Sequence, residues 1–450
     1  MFQAVKVGPE NVLTSKCFIL RPIPTPLAYP AVRSWLLELI PAGEAELKEE
    51  NLMTLLETKS IDLASEAFDP SFLETIDPLT NLRGCIQCGT CSATCPTASA
   101  MDYTPRQVWR MVKLGMRDRV LRSRTFWLCT TCKACQVRCP RGIDLMDSMI
   151  TLKECAFTSG VNVPEGMLTF GETIAANYNI SGDDNTNRLI WSQNLERVPE
   201  GVRGRRQAEV LYFVGCVSSF YPRVYSIPQA LVQIMEQTDV EFTTLGGDEW
   251  CCGYPLHIAG MGDRMADLAR HNVQQARAVG AKKVVFTCPS CYYAWAHLYP
   301  EYTDVSGIKL EHAAEFLAAL LVENGLPLGA FEEVVTYHDP CDLGRKSEVY
   351  DAPREVLNAI PGLEFREMSA CREDAMCCGG GGDVEVADPE VTQGVARERL
   401  AQVQATGAKY VLSACQQCKR TLQDGARQHK IRVRAMDLTE LVWQSMQGAA

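Results

Sequence analysis

Two runs of cysteines in the first third of the chain have the spacing of iron–sulfur ligands. Each run reads Cys-x-x-Cys-x-x-Cys-x-x-x-Cys-Pro, and corresponding cysteines of the two runs differ by 44 positions. Three evenly spaced thiolates hold three corners of a cubane [4Fe–4S] cluster, and the cysteine before proline reaches the neighbouring cluster. We therefore assign Cys85, Cys88, Cys91 and Cys139 to one cluster, and Cys129, Cys132, Cys135 and Cys95 to the other. The alternative is a pair of four-cysteine zinc sites, which need neither the third evenly spaced cysteine nor the fourth before proline.

Ten further cysteines, from residue 216 onward, form a second duplicated pattern. In each copy a single cysteine is followed by an adjacent pair and then by Cys-x-x-Cys, and the offset between the copies drifts only from 125 to 127. The two sets are Cys216, Cys251, Cys252, Cys288 and Cys291, and Cys341, Cys377, Cys378, Cys415 and Cys418. Five cysteines are one more than a cubane needs, and adjacent cysteines suit a more open iron–sulfur assembly. A repeat this regular indicates two copies of one structural unit.

The elements around these cysteines predict where they meet. Apolar, β-rich runs at 210–214 and 334–337 open the two copies, and similar runs at 283–286 and 409–412 precede each Cys-x-x-Cys. Helical patterns at 261–279 and 389–406 separate the strands, and another, at 105–122, separates the first two cysteine runs. Helices alternating with buried strands favour α/β units with parallel sheets. Loops at the carboxyl ends of parallel strands converge, so the cysteines that follow them are expected to form one site.

The fold class predicted is therefore α and α/β, with a helical two-cluster domain followed by two duplicated α/β double-cysteine domains. The expected boundaries are an N-terminal extension at 1–80, the two-cluster domain at 81–155, a linker at 156–207, and the two repeats at 208–332 and 333–450. The extension combines a proline-rich stretch with a helical pattern at 44–58, and it is a candidate for docking a partner.

Composition narrows the class of protein. The 450 residues include 21 cysteines, an odd number that argues against a full disulfide framework. The net charge of −11 disfavours nucleic-acid binding. Neither a signal peptide nor a run of 18 apolar residues is found, which favours a reducing compartment. Cys17, Cys155 and Cys371 lie outside the motifs and are expected to be ordinary thiols.

The repeated pattern of one cysteine, a Cys-Cys-Gly turn and a Cys-x-x-Cys resembles the double-cysteine–glycine (CCG) domain of heterodisulfide reductases. The whole chain resembles the fused catalytic subunit, in which residues 81–155 correspond to the two-cubane electron-transfer part and residues 208–435 to the catalytic part. The resemblance implies that each set of five cysteines holds a noncubane [4Fe–4S] cluster. It also implies that the two clusters face each other and together reduce a disulfide to two thiols, the substrate in methanogens being the mixed disulfide of coenzymes M and B.

Two alternatives remain open at this stage. Iron–sulfur subunits of glycolate, lactate and glycerol-3-phosphate dehydrogenases share the layout and pass electrons to quinone, although their double-cysteine motifs are commonly incomplete. Both sets are complete here, which favours the disulfide reductase. Some relatives fill only one of the two repeats with a noncubane cluster and leave zinc or nothing in the other. A pure electron-transfer module is a third interpretation.

Several other residues are predicted to serve the site. His257 lies five residues after Cys252 and is a candidate proton donor to a product thiolate, with a packing role as the alternative. His338 is expected to hydrogen-bond the loop backbone or a cluster sulfur. Gly253 and Gly379 follow the double cysteines, where a side chain would obstruct the approach of the backbone to a cluster. Arg345 is a candidate contact for an anionic substrate group, with a solvated arginine as the default.

The chain carries no flavin or nicotinamide fingerprint, so the resemblance implies an electron-donating partner subunit. That partner is either a flavin-containing bifurcating subunit or a membrane b-type cytochrome. Four arginines between residues 117 and 124 are a candidate docking face for an acidic partner, or simply a solvated helix face. We expect a cytoplasmic chain, or one held at a membrane through its partner.

Overall fold

The computed structural model describes residues 67–203, 207–323 and 325–448. The predicted helical pattern at 44–58 and Cys17 lie outside the described residues. Within the described residues, no helix combines the length and the apolar composition that a bilayer-spanning segment needs.

The two-cluster region is made of short helices joined by loops that carry the cysteines. Its helices are Ser71–Thr80, Thr90–Ala93, Pro105–Lys113, Arg117–Leu121, Ala134–Val137 and Leu145–Ser159. The prediction of a single helix over 105–122 is wrong, because the helix is interrupted between Lys113 and Arg117. Gly115 has φ +73° there, and a Cβ atom on it would lie 2.5 Å from the carbonyl oxygen of Asp69. This close packing requires the glycine and ends the helix.

Each repeat contains a four-stranded parallel sheet of the same topology. The first sheet has the order β2-β1-β3-β4 and the second the order β6-β5-β7-β8. The strands are β1 Val210–Phe213, β2 Phe242–Thr243, β3 Lys283–Phe286, β4 Lys309–His312, β5 Val334–Tyr337, β6 Glu364–Phe365, β7 Tyr410–Ser413 and β8 Arg434–Asp437. The four predicted strands are β1, β3, β5 and β7, which form the sheet centres. The predicted α/β character with parallel pairing is thus confirmed.

Helices cover the sheets and alternate with the strands. They are Cys216–Phe220, Ser226–Gln237, Tyr254–Ile258, Met265–Ala278, Pro289–Tyr293, Ala313–Glu323, Asp351–Ala359, Val384–Ala387, Pro389–Ala405, Gln416–Gln428 and Leu438–Gly448. The two long helices predicted at 261–279 and 389–406 are present, with the first beginning at Met265.

The two repeats share one hydrophobic core. Buried side chains of both sheets belong to it, including Tyr212 of β1 and Tyr337 of β5, together with Leu231 and Leu441 from the intervening helices. Burial of such apolar side chains is the main force that holds the repeats against each other. Trp191, from the segment predicted as a linker, is fully buried in the same core. That segment, which includes helix Glu165–Asn177, is therefore packed structure.

One polar residue joins the repeats asymmetrically. Gln416, in the second repeat, donates from Nε2 to the carbonyl oxygen of Val214 (2.8 Å) and to Thr287 Oγ1 (2.7 Å). Its Oε1 accepts the backbone N–H of Ser218 at 3.1 Å. All three partners lie in the first repeat. The residue at the equivalent position of the first repeat is Pro289.

Candidate metal centre

The parallel sheets bring all ten repeat cysteines to one cavity. Cys216 follows β1 and Cys341 follows β5, while the Cys-x-x-Cys pairs follow β3 and β7. These positions are at the carboxyl ends of the strands, where loops of α/β sheets converge. Every cysteine of both sets lines the same cavity of about 350 Å³. Both repeats therefore contribute to one shared cavity.

Within each set, the sulfur atoms form a connected series with the same order. In the first set, hydrogen-bonding reach links Cys216 to Cys251, Cys251 to Cys252, Cys252 to Cys291 and Cys291 to Cys288. In the second set it links Cys341 to Cys377, Cys377 to Cys378, Cys378 to Cys418 and Cys418 to Cys415. No disulfide joins any of the described cysteines. Five convergent thiols in each set fit a polynuclear metal group better than one ion, which needs four.

The second cysteine of each adjacent pair is the one whose thiolate is favoured. Hydrogen bonds from Cys251 and Cys291 lower the pKa of Cys252 to about 6. Hydrogen bonds from Cys377 and Cys418 lower the pKa of Cys378 in the same way. Since metals bind thiolates, both residues are prepared for ligation.

Backbone amides after the double cysteines also face sulfur. The N–H of Gly253 lies 3.5 Å from Cys251 Sγ, and the N–H of Gly379 lies 3.3 Å from Cys377 Sγ. The structure shows a packing requirement for both glycines. Both have positive φ, and a Cβ atom on them would lie 2.6 Å from Met265 Cγ and from the carbonyl oxygen of Thr392, respectively. Neighbouring helices therefore exclude a side chain at these positions.

A buried arginine donates to the first cysteine of the first set. Arg188 Nη2 lies 3.2 Å from Cys216 Sγ, and Arg188 Nη1 forms an ion pair with Glu249 Oε1 at 2.7 Å. The side chains of Arg188 and Glu249 are 2% and 1% exposed. Glu249 also accepts the backbone N–H groups of Val214 and Gly215, both at 2.8 Å. The pair is thus fully hydrogen-bonded, as a buried charge requires, and it directs an N–H group at Cys216.

Arg345 has the equivalent position in the second set. Its Nη2 lies 2.9 Å from Cys341 Sγ, and its Nε and Nη1 donate to the carbonyl oxygens of Cys132 and Ala375, both at 2.6 Å. The side chain is buried. Arg345 is therefore neither solvated nor among the residues that line the cavity. Arg345 therefore joins Cys341 to the region of the first two cysteine runs.

His338 lies against the second set of cysteines. Its Nδ1 accepts a hydrogen bond from Arg399 Nε at 3.0 Å. Because Nδ1 is an acceptor, the proton of the neutral ring is on Nε2. His338, Cys378 and Cys418 offer ligand atoms within 4.8 Å of one another. The expected contact with sulfur is therefore available to Nε2, and burial lowers the pKa of the imidazole and keeps it neutral.

The structure does not bring His257 to the cavity. The cavity wall nearby is formed by Tyr254, Pro255 and Ile258, and His257 is absent from its lining. Burial, and then the positive charge of Lys346, lower the pKa of His257 to about 4. The imidazole is thus neutral at pH 7 and lies outside the shared space.

The eight cysteines of the first two runs lie close together, and the fourth cysteine of each run can be placed relative to the other run. Cys85, Cys88 and Cys91 line a second small cavity together with Cys139, at which Cys135 also lies. The thiol of Cys95 is close enough to Cys129 and Cys132 to raise its pKa, although burial raises it more. The fourth cysteine of each run therefore lies with the other run. Cys88 is exposed, whereas Cys132 is buried.

The loop that contains Cys132 reaches the second repeat. Cys132 is within hydrogen-bonding reach of both Cys341 and Cys377. Thr130, in the same loop, also contacts the second repeat. It lines the shared cavity, and a Cβ atom on Gly381 would lie 2.7 Å from its carbonyl oxygen. The second set of cysteines is thus in direct contact with the loop that contains Cys132.

Comparison with known proteins agrees with this arrangement. Residues 81–143 match the 4Fe–4S dicluster domain family, and residues 210–295 and 335–423 each match the cysteine-rich CCG domain family. The HdrD component of the dihydromethanophenazine:CoB–CoM heterodisulfide reductase of Methanosarcina mazei is 33% identical over 405 residues, which cover 82% of this chain and 95% of that protein. The chain belongs to the HdrD family of heterodisulfide reductase subunits. Its members are parts of oxidoreductases, so the predicted family and fold class are confirmed.

Other relatives of this HdrD-type chain have different names. The probable iron–sulfur-binding oxidoreductase FadF of Bacillus subtilis is 30% identical over 78% of this chain and 50% of its own length. The EtfAB:quinone oxidoreductase of Syntrophomonas wolfei is 29% identical over 73% of this chain and 47% of its own length. Among solved structures, a hypothetical protein from Helicobacter pylori matches with a TM-score of 0.50 and 11% identity, over 76% of this chain and 68% of that one. This likeness concerns the fold alone.

The sequence did not point to Arg188 or Arg399. Arg188 lies in a segment without cysteines and pairs with Glu249, 61 residues away. No spacing rule connects such residues. The one available sign is an arginine beside buried aromatic residues, since Trp191 is three residues on, and this pattern is common in ordinary cores.

Proposed function

We propose that this chain is the catalytic iron–sulfur subunit of a disulfide reductase. It receives electrons through two cubane [4Fe–4S] clusters and reduces a disulfide to two thiols at two noncubane [4Fe–4S] clusters. The observation that carries the proposal is that all ten cysteines of the two repeats line one cavity. The heterodisulfide named for the Methanosarcina relatives, or a similar disulfide, is the substrate.

The sets of cysteines are suited to hold the proposed iron–sulfur clusters. We assign the noncubane clusters to the two five-cysteine sets, and the cubanes to the two groups of four that combine Cys139 with the first run and Cys95 with the second. Arg188, Arg345 and the amides of Gly253 and Gly379 direct N–H groups at these sulfurs, and His338 lies beside Cys378 and Cys418. Such donors stabilise the negative charge that thiolates and reduced clusters carry.

When bound, the two noncubane clusters supply one electron each to the disulfide. The residues of the chain provide the conditions for this reaction. Both repeats contribute their cysteine sets to the same cavity, so we propose that one substrate sulfur approaches each set. Phe170, Ile180 and Val386 give the cavity an apolar wall. An apolar wall binds the carbon chain of a disulfide and limits access of water.

An acidic electron donor fits the two-cluster region. Residues 81–143 contain eleven Lys or Arg and two Asp, a net charge of +9 in a chain whose total is −11. The exposed residues Arg106 and Arg141 line the cavity that contains Cys85 and Cys139. Ile86, which is 61% exposed, and the exposed Cys88 lie at the same cavity. A positive surface around an exposed ligand attracts a negatively charged partner and speeds its association. We propose that a partner subunit, flavin-containing or a b-type cytochrome, docks here with an acidic face.

The experiment is disulfide-dependent oxidation of a reduced dye by the anaerobically purified, cluster-loaded chain. We expect turnover with a disulfide and release of two thiols per disulfide. Cys252→Ala should abolish turnover, remove the iron of one set and leave the cubane EPR signals unchanged, because Cys252 connects the sulfurs of the first set. Cys371→Ala is the matched control, since Cys371 lies outside both sets, and it should retain full activity and iron.

The same preparation separates the alternatives. Metal analysis distinguishes iron from zinc in the second set, where His338 joins Cys378 and Cys418 in a group that zinc also accepts. A fully iron-loaded chain that fails to oxidise the dye with any disulfide, yet reduces a quinone, would refute the disulfide proposal. That result would favour the quinone-linked function, which the name of the Syntrophomonas relative suggests.

A further inference from the structure

One carboxyl group in the shared cavity has no use in the function described so far. Asp383 lines the cavity directly after the four glycines at 379–382. Its Oδ2 is shielded from solvent and has no hydrogen-bond partner among the described residues. Buried carboxyl oxygens are normally paired, because an unpaired one loses its hydration without replacement. An unpaired oxygen at a reaction cavity therefore calls for a functional explanation.

The other two carboxylates of the cavity have charged and polar partners. Asp342 forms an ion pair with Lys346 at 2.7 Å and accepts hydrogen bonds from Ser290 (2.5 Å) and Tyr254 (3.2 Å). Glu385 accepts from Gln417 at 3.1 Å and pairs with Arg420. Asp383 is thus the one carboxyl of the cavity lining, among the described residues, with a buried oxygen that lacks a hydrogen-bond partner.

The charged group facing Asp383 is Lys153, from helix Leu145–Ser159. The Lys153 ammonium is buried and donates to the carbonyl oxygens of Ile258 (2.9 Å) and Gly382 (3.2 Å). Its positive charge lowers the pKa of Asp383, but burial raises it more, to about 7. The carboxyl is therefore protonated in part at neutral pH, and a group with this pKa is suited to donate a proton.

We propose that Asp383 is the general acid that protonates a thiolate released from the disulfide in this cavity. The inference rests on the proposed disulfide reduction. In that reaction the S–S bond breaks as two electrons enter from the iron–sulfur centres, and each sulfur becomes a thiolate. Asp383 gives its carboxyl proton to one of them, and the second thiolate takes a proton from solvent. The residue as a whole is only partly buried, so water restores the Asp383 proton between turnovers.

The test is the variant Asp383→Asn, which keeps the shape of the side chain without a transferable proton. Asn also suits the left-handed backbone at this position, where φ is +57°, so the variant is expected to fold. Turnover of an alkyl disulfide, whose thiols are basic, should fall about 10²-fold or more. Turnover of a nitro-substituted aryl disulfide should change little, because its acidic thiol leaves without protonation. Asp267→Asn, at an exposed aspartate that is partnered with Arg270, is the matched control.

Two measurements give independent readouts. With the alkyl disulfide, wild-type activity should fall as pH rises above about 7, since the protonated carboxyl is present below its pKa and lost above it. Asp383→Asn should lack this fall. Infrared difference spectra should show a protonated-carboxyl C=O band that titrates near pH 7 in the wild type and is missing in the variant. Lys153→Gln should move the band and the pH limb upward, since it removes a positive charge that favours the carboxylate.

The outcomes separate this inference from the proposed function. If the wild type reduces disulfides and Asp383→Asn reduces both types equally well, Asp383 is not the acid. An infrared spectrum in which this carboxyl is already fully ionised at mildly acidic pH would also overturn the inference. Absence of turnover in the wild type, with the titrating band present, would instead reject the disulfide reaction. If Asp383→Asn loses iron, the shift in Lys153→Gln decides alone, and no shift there counts against the proposal.

Discussion

The buried pair of Arg188 and Glu249 allows a quantitative prediction. Replacing Arg188 with Met removes the ion pair at 2.7 Å and leaves the Glu249 carboxylate in a site that is 1% exposed. Breaking one partner of a fully buried pair costs about 3–5 kcal/mol. Two backbone N–H groups still stabilise Glu249, so we expect a loss near the lower end of that range, about 3 kcal/mol.

The assay is urea unfolding of the anaerobic, cluster-loaded protein, followed by tryptophan fluorescence, which includes the nearby Trp191. The double variant Arg188→Met/Glu249→Gln should be more stable than Arg188→Met alone, because it removes the orphaned charge. The matched control is Arg197→Met. Arg197 is 85% exposed and pairs with Glu236 at 3.4 Å, so its loss should cost less than about 1 kcal/mol.

The same substitution has a spectroscopic consequence. Arg188 donates to Cys216, so Arg188→Met should lower the reduction potential of the cluster that we propose for the first repeat and leave the potentials of the proposed cubanes unchanged. The reasoning about the buried pair is refuted if Arg188→Met and Arg197→Met unfold at the same urea concentration. It is also refuted if the stability lost in the double variant equals the sum of the losses in Arg188→Met and Glu249→Gln.

Two further predictions concern electron transfer. His338→Phe should remove an N–H donor from the second set and lower one cluster potential in an EPR-monitored redox titration, with the first set and the cubanes unaffected; an unchanged titration would show that Nε2 does not act on the cluster. Arg106→Glu combined with Arg141→Glu should slow reduction by an acidic donor protein in stopped-flow measurements at low salt. The double variant should keep its rate with a small dye, and a salt-independent rate in the wild type would contradict the docking face.

The sequence was sufficient for the elements that repeat or that have a clear period. The cysteine spacing and the apolar runs of β1, β3, β5 and β7 were enough to predict two parallel α/β units. The edge strands β2 and β6 contain two residues each, too few to show an alternating pattern. Gly115 ended a helix whose apolar period continued through it, because a tertiary contact with Asp69 decided the backbone there.

Side-chain direction was the main obstacle at the candidate site. His257 is close to Cys252 in sequence, yet the short helix after the double cysteines turns Tyr254 and Ile258, rather than His257, toward the cavity. Arg345 is close to Cys341 and does contact it, but as a buried donor and not as a substrate contact. Asp383 follows four glycines whose path depends on packing against other loops. Proximity in the sequence therefore predicted which residues lie near the cysteines, but not the direction of their side chains.

The asymmetric bond made by Gln416 has a consequence for the origin of the molecule. Two identical copies of one unit would meet across a two-fold axis, each presenting the same residues to the other. Here one unit inserts an amide that makes three hydrogen bonds, and the other presents Pro289, whose side chain has no donor or acceptor. The two repeats are no longer interchangeable, because a chain with two copies of the first repeat would have proline at this position in both and would lose the hydrogen bonds of Gln416. The two repeats have therefore become structurally different after duplication. The second repeat, which provides Gln416, is also the one that contacts Cys132.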